Sequence, residues 1–309
     1  MPSEFDIIAD LFAPLATSKA AMGLKDDVAI LGEIVLTTDT IIAGVDFFPN
    51  DPPDTIAKKA LRVNLSDLAA KGARPFGYLL TLTLPRNTSE SWLGRFAKGL
   101  RADQKTFGLT LLGGDISSTP GPLGITVAMF GRAPRGKAIL RNRARVGDLV
   151  FVSGTLGDSG AGLAALKARK KQPKLIARYR VPEPRVALGQ KLRGVASAAL
   201  DVSDGLVADL GHIADTSGVH IVLDARALPL SKAYRAFIGN DPVRAATSGD
   251  DYEIAFTAPR SRRAKVLAAA KAARVPVTEI GWVMKGRGVA LLDASGRPIA
   301  LKKKGWQHF

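Results

Sequence analysis

Asp39 lies in the middle of Val35-Leu-Thr-Thr-Asp-Thr-Ile-Ile-Ala43, a run of β-branched and apolar residues that reads as a strand. A lone carboxylate buried in a sheet is costly, so any fold this chain adopts must bring that side chain a partner. The same demand recurs along the sequence. Asp26-Asp27 opens a strand, Asp67 rides on a helix expected over 54–72, and Asp115 follows Gly113-Gly114. Asp201-x-x-Asp204 closes a short apolar run, and Asp250-Asp251 sits in a Gly-containing turn. Singly, an Asp at such a place is usually a cap or turn residue, and Asp26 and Asp250 suit that reading. Asp39 and Asp201 suit it poorly. As a set the carboxylates point to a common site for a hard divalent cation, since each pair brought to about 4 Å without one would repel by about 1–4 kcal/mol.

The helix over 54–72 carries Leu61, Leu65 and Leu68 as an apolar stripe, with Asn64 and Asp67 one turn apart on its edge. Asp54 and Thr55 are its expected cap, with Pro52 and Pro53 outside, and Gly72 with Pro75 is its stop. Strands are expected at Val35–Ala43, Gly77–Leu84, Leu109–Leu112 and Gly124–Phe130, with helices over 4–18 and 89–107. This order predicts an α+β or split βαβ sheet domain over residues 1–135. After a basic segment, 131–147, a second α/β domain is expected over 146–309. Its strands fall near 148–153, 198–202, 219–223, 252–257, 277–284 and 288–292, and residues 171–184 read as a connection. A chain of 309 residues is long enough for two cores.

Composition removes several chemistries. There is no cysteine, hence no thiol nucleophile or zinc–thiolate site, and the three histidines are scattered. No apolar run approaches the roughly 20 residues that span a bilayer, and the N-terminus lacks a signal-peptide pattern, so a cytoplasmic location with no membrane partner is expected. The formal net charge of +16 favours anionic partners. A nucleic-acid platform would need aromatic residues free on strand faces, whereas those here read as core, so no specific nucleic acid is expected. Gly131-Arg-Ala-Pro-Arg-Gly136-Lys137 imitates the first part of a P-loop, but Ala138 stands where a metal-binding Ser or Thr is required. Gly113-Gly114 and Gly154–Gly162 are the places where bare backbone could meet a phosphate.

The ordered set of motifs resembles the thiamine-monophosphate kinase family, within the superfamily of the aminoimidazole-ribonucleotide synthetase. It comprises Lys25-Asp-Asp-Val-Ala29, Thr37-Thr-Asp-Thr40, Asn64-Leu-Ser-Asp-Leu-Ala-Ala70, Gly113-Gly-Asp115 and Gly154-Thr-Leu-Gly-Asp-Ser159. Asp201-Val-Ser-Asp-Gly-Leu206, Ser248-Gly-Asp-Asp-Tyr-Glu253 and the C-terminal Gly305-Trp-Gln-His-Phe309 complete it. The resemblance implies ATP-dependent phosphorylation of thiamine monophosphate to thiamine diphosphate by direct in-line transfer, with several Mg²⁺ ions. It implies metal ligation by Asp27, Thr37, Thr38, Asp39, Asp67, Asp115, Asp201 and Asp204, with Asp67, Asp115 and Asp204 most critical. ATP contacts fall on Phe107, Gly114, Asp115, Arg141 and Ser203, and substrate contacts on Asp46, Asp250 and Trp306. A homodimer formed through the N-terminal sheets is also implied. Other enzymes of the superfamily are the nearest alternative.

Overall fold

The computed structural model describes residues 4–306. The chain builds two sheets. The first half runs α1 (Glu4–Ile7), β1 (Ala29–Leu31), β2 (Ile34–Ile42), α2 (Pro53–Ala70), β3 (Arg74–Pro85), α3 (Glu90–Phe107), β4 (Thr110–Thr119) and β5 (Gly124–Arg132). Its strands lie in the order β1-β2-β5-β3-β4, antiparallel except for the parallel pair β3–β4. The second half runs β6 (Asp148–Ser153), α4 (Asp158–Lys167), α5 (Pro173–Arg180), α6 (Val186–Leu192), β7 (Ala198–Asp201) and α7 (Leu206–Ser217). It continues with β8 (His220–Asp224), α8 (Lys232–Phe237), α9 (Pro242–Ala246), β9 (Ile254–Pro259), α10 (Arg263–Ala273), β10 (Val277–Met284) and β11 (Gly288–Leu292). This sheet has the order β11-β8-β10-β6-β9-β7. No helix among the described residues is long and apolar enough to cross a membrane.

Helix α2 is the structural centre. Leu61, Leu65 and Leu68 enter the N-terminal core against Val35, Val127 and Met129, as the apolar stripe predicts. The helix is buried beyond that stripe, because α6 and β7 of the second half pack on it too. A side chain at Gly189 of α6 would put its Cβ 1.8 Å from the Ala69 carbonyl oxygen, so only glycine allows that approach. Being covered on both sides, α2 also buries Lys59, Asn64 and Ser66. Buried polar side chains on a fully enclosed helix need specific partners.

Several local expectations are corrected. Pro53 is in the first turn of α2, no side chain caps the helix, and the Thr55 hydroxyl donates to the Pro52 carbonyl at 2.7 Å. Proline fits there because its missing N–H has no intrahelical acceptor in any case. The amphipathic helix expected over 4–18 is a short α turn, a π turn over 8–12 and a 3₁₀ turn over 13–15, with Pro14 in the last. Phe5, Leu11, Phe12 and Leu15 stay at least half exposed, so no packed face holds a longer helix together. The connection at 171–184 contains α5, and the short α9 also went unanticipated. Strand β4 does not stop at Gly113 but runs through Gly113-Gly114-Asp115 to Thr119.

Candidate active site

The face of β2 that meets α2 carries Val35, Thr37, Asp39 and Ile41, the alternate residues of a pleated strand. The Thr37 hydroxyl donates to Asp67 Oδ2 at 2.5 Å and approaches the Asp27 carbonyl at 3.2 Å. Asn64, one turn before Asp67 on α2, accepts the Asp39 backbone N–H at 3.1 Å and donates to the Ala60 carbonyl. Strand β7 enters from the second sheet and ends at Asp201. Carboxylate oxygens of Asp27, Asp67 and Asp201 all lie within 4.8 Å of one another. Three acids from a loop, a helix and a strand, far apart in sequence, thus share one point between the domains.

Their electrostatics follow from that convergence. Burial raises the Asp39 carboxyl from its ordinary 3.8 to about 6, and neighbouring Asp201 adds to the effect. Burial also holds Asp67 well above the usual carboxylate range, with Asp39 and Asp201 repelling its charged form. Asp201 is raised by burial, with Lys71 and Arg141 pulling the other way. A carboxyl raised in the folded state keeps its proton where the unfolded chain has lost it, so the native state binds more protons and stability falls as pH rises. For Asp39 the window runs from 3.8 to about 6. In melting experiments with EDTA, the wild type is therefore expected to lose stability relative to Asp39→Asn as pH rises through that window. Parallel pH profiles for the two proteins would contradict the raised carboxyl.

An all-oxygen donor set of converging carboxylates suits Mg²⁺, which takes oxygen ligands and is held by one or two carboxylates together with phosphates. Thr37 and Asp39 sit on the cluster's edge. Thr38 points its side chain to the opposite face of β2, like Thr40, whose hydroxyl meets Thr126 at 2.8 Å. Asp204 and Ser203 lie in the turn after β7, where Asp209 accepts the backbone N–H groups of Ser203, Asp204 and Gly205 at 2.9–3.2 Å.

A family match spans both halves of the chain. The AIR synthase related protein family matches with its N-terminal domain over residues 25–133 and its C-terminal domain over 145–293. The thiamine-monophosphate kinase of Caulobacter vibrioides is 41% identical over 99% of this chain and 91% of its own length. That of Escherichia coli is 39% identical over 99% and 98%. The chain belongs to the thiamine-monophosphate kinase family. The solved structure of AaThiL complexed with AMPPCP and TMP superimposes with a TM-score of 0.88 at 35% identity, covering 99% of this chain and 97% of that one. The thiamine-monophosphate kinase of Stenotrophomonas maltophilia gives 0.81 at 37%, over 94% and 98%. A hydrogenase maturation protein in complex with ATP, at 22% identity and a TM-score of 0.74, shares the fold alone.

Within this family member, the acceptor candidates Asp46 and Asp250 meet through Lys59. The buried Lys59 ammonium donates to the Asp46 carbonyl at 2.7 Å and to Asp250 Oδ2 at 3.0 Å, and lies 4.2 Å from the centre of the Tyr179 ring. Asp250 adopts a left-handed backbone, φ 69°, and its other oxygen accepts the Tyr252 hydroxyl. Trp306 is exposed, with its backbone N–H on the Asp204 carbonyl at 2.9 Å. Arg141 ion-pairs with Asp27, and its backbone N–H donates to Asp26 at 3.0 Å.

Phe107, Gly114 and Asp115 do not join this group in one chain. Asp115 is level with Thr81, Thr126 and Thr40 across the sheet, three strands from β2, or about 14 Å at about 4.8 Å per strand. A Cβ on Gly114 would sit 1.8 Å from the Leu80 carbonyl oxygen, so the close pairing of β3 and β4 already requires that glycine. Phe107 packs against the N-terminal core, with the Arg62 guanidinium 5.3 Å from its ring centre.

Sequence reasoning missed Lys71. Its fully buried ammonium lies 2.7 Å from Asp26, contacts Asp27, and donates to the Ala199 carbonyl of β7 at 3.0 Å. It follows Asp67 by one helical turn, a spacing that places both on one face and was available in the sequence. Lys71 and Arg141 are the cations that let Asp26 and Asp27 be buried together.

Proposed function

We propose that this chain transfers the γ-phosphoryl group of ATP to the phosphate of thiamine monophosphate, giving ADP and thiamine diphosphate. The observation that carries the reading is the meeting of Asp27, Asp67 and Asp201. The AMPPCP and TMP held by AaThiL, which shares this fold, support it. Mg²⁺ ions bound by these three acids, with Asp39, Asp204 and the Thr37–Thr38 segment at the edge, would neutralise charge on the phosphates. Phosphoryl transfer chiefly needs such positioning and charge neutralisation, so the acceptor phosphate oxygen attacks the γ-phosphorus in line and no residue is phosphorylated.

In this reading Arg141 exchanges its Asp27 partner for the nucleotide phosphates, offering the fork that suits them, and Ser203 contacts the nucleotide beside it. Asp46, Asp250 and Trp306 bind the thiamine moiety, with Lys59 fixing the first two and the Trp306 indole stacking on a ring. An assay of ADP release tests this. Release with thiamine monophosphate and not with aminoimidazole precursors or selenide is expected; turnover of one of those instead would overturn it.

Gly114 and Asp115 are served by a second copy of the chain. Edge strand β4 exposes Leu111, Leu112 and Ile116, and Leu79 of β3 is exposed beside them. Apolar edges of this kind associate. In a twofold dimer built on this surface, the partner subunit's Asp115 approaches the nucleotide from across the interface. Sedimentation at micromolar concentration is expected to give a dimer, and Ile116→Glu a monomer with little activity. A monomeric wild type would contradict the assembly.

A further inference from the structure

A concavity of about 300 Å³ lies away from the acidic cluster, where the inter-domain segment meets the second sheet. Its lining includes Gly136, Lys137, Arg143 and Arg145 of that segment and Ser197 and Arg262 of the second half. No Asp or Glu lines it, and neither does any residue given above to metal, nucleotide or acceptor. Lys137, Arg143 and Arg145 are exposed, and none of the four cations forms an ion pair among the described residues. Arg262 makes one long bond, 3.4 Å, to the Val195 carbonyl. Asp148 is buried next to Ser197, where it accepts the Ser197 hydroxyl and the Arg145 backbone N–H.

Four cations gathered around a hollow, with one carboxylate, Asp148, behind its lining, focus a net positive potential into it. Guanidinium forks match phosphate oxygens, and the volume is at the lower end of small-molecule pockets, which run from about 300 to 1,000 Å³. A second hollow of about 60 Å³ shares Gly136, Ala138 and Arg143 with the first and is otherwise lined by apolar residues such as Ile30, Val35 and Leu140. We propose that the larger pocket binds a small phosphate-bearing molecule, with the apolar hollow beside it taking a short non-polar group. The site gives a role to the Gly131–Lys137 stretch, which the nucleotide reading leaves idle. Arg143 closes the same 3₁₀ turn, Arg141–Arg143, that carries the partner of Asp27, so a bound anion would also steady Arg141.

Inorganic pyrophosphate is the probe, titrated calorimetrically into the full chain at low salt with EDTA present, where the acidic cluster repels it. One saturable site is expected. Lys137→Ala with Arg145→Ala should weaken it by at least about tenfold, with the melting temperature unchanged at these exposed positions. Should the double variant melt early, Lys137→Ala alone is expected to show a smaller loss in the same direction. Asp67→Asn should bind pyrophosphate as the wild type does. No saturable binding, equal binding by the Lys137 and Arg145 variants, or loss of binding in Asp67→Asn would overturn the proposal. So would saturable binding of duplex RNA in place of pyrophosphate.

Discussion

Asp67→Asn is expected to lower turnover of thiamine monophosphate at least about a hundredfold while leaving the metal-free protein as stable as the wild type or more so. Asp67 is the member of the carboxylate trio carried by α2, and Thr37 already fixes one of its oxygens. Removing an anionic ligand forfeits part of the charge stabilisation a bound metal supplies, which is worth several kcal/mol. The same change removes a carboxylate that burial, Asp39 and Asp201 hold well above its ordinary range, so it relieves repulsion in the empty cluster. Activity and stability should therefore move in opposite directions. A variant equally active, or one that loses activity only because it melts at a lower temperature, would contradict the assignment.

Glu253→Ala is expected to cost about 3–5 kcal/mol of stability, the usual effect of stripping one partner from a buried ion pair. Glu253 is fully buried beside the candidate acceptor residues. It takes Arg185 at 2.6 and 2.7 Å, Arg178 at 2.9 Å and the Ser153 hydroxyl at 2.5 Å. Without it, two largely buried guanidinium groups lose their shared counter-charge. These contacts fasten α5 and the start of α6 to strand β6 and the segment before β9. Urea unfolding should show the midpoint falling; a loss below about 1 kcal/mol, the range of exposed pairs, would mean the network is not structural.

Much of this was legible in the sequence, for physical reasons that can be named. Asp39 stood out because a strand does not bury a lone carboxylate, and the structure gives it Asn64 at its backbone and Asp67 and Asp201 as neighbours. The spacing of Leu61, Leu65 and Leu68 located α2 because periodicity reports which face meets a core. The family match then showed the kinase family that the ordered motifs resemble. What stayed hidden depends on contacts between distant segments. The step of four from Asp67 sets Lys71 on the same face, but nothing local marks Lys71 or Lys59 as buried, since Lys is ordinarily solvated; β7 meets Lys71, and Asp46, Asp250 and Tyr179 close around Lys59. The run through Gly113-Gly114 reads as a stop, because glycine usually ends strands. Its actual cause, the close approach of the Leu80 carbonyl, is visible only once β3 and β4 are paired. Helix α5 hid in a stretch dominated by basic residues, whose Leu175 and Tyr179 are its only buried side chains.

The central claim is that acids from three separate segments hold a cation on which the phosphates are set. Anomalous diffraction from crystals grown with Mn²⁺ and AMPPCP measures this most directly. The expected map has its strongest peak in contact with Asp27, Asp67 and Asp201 together. Manganese bound elsewhere, with these three carboxylates held only by Lys71 and Arg141, would contradict it.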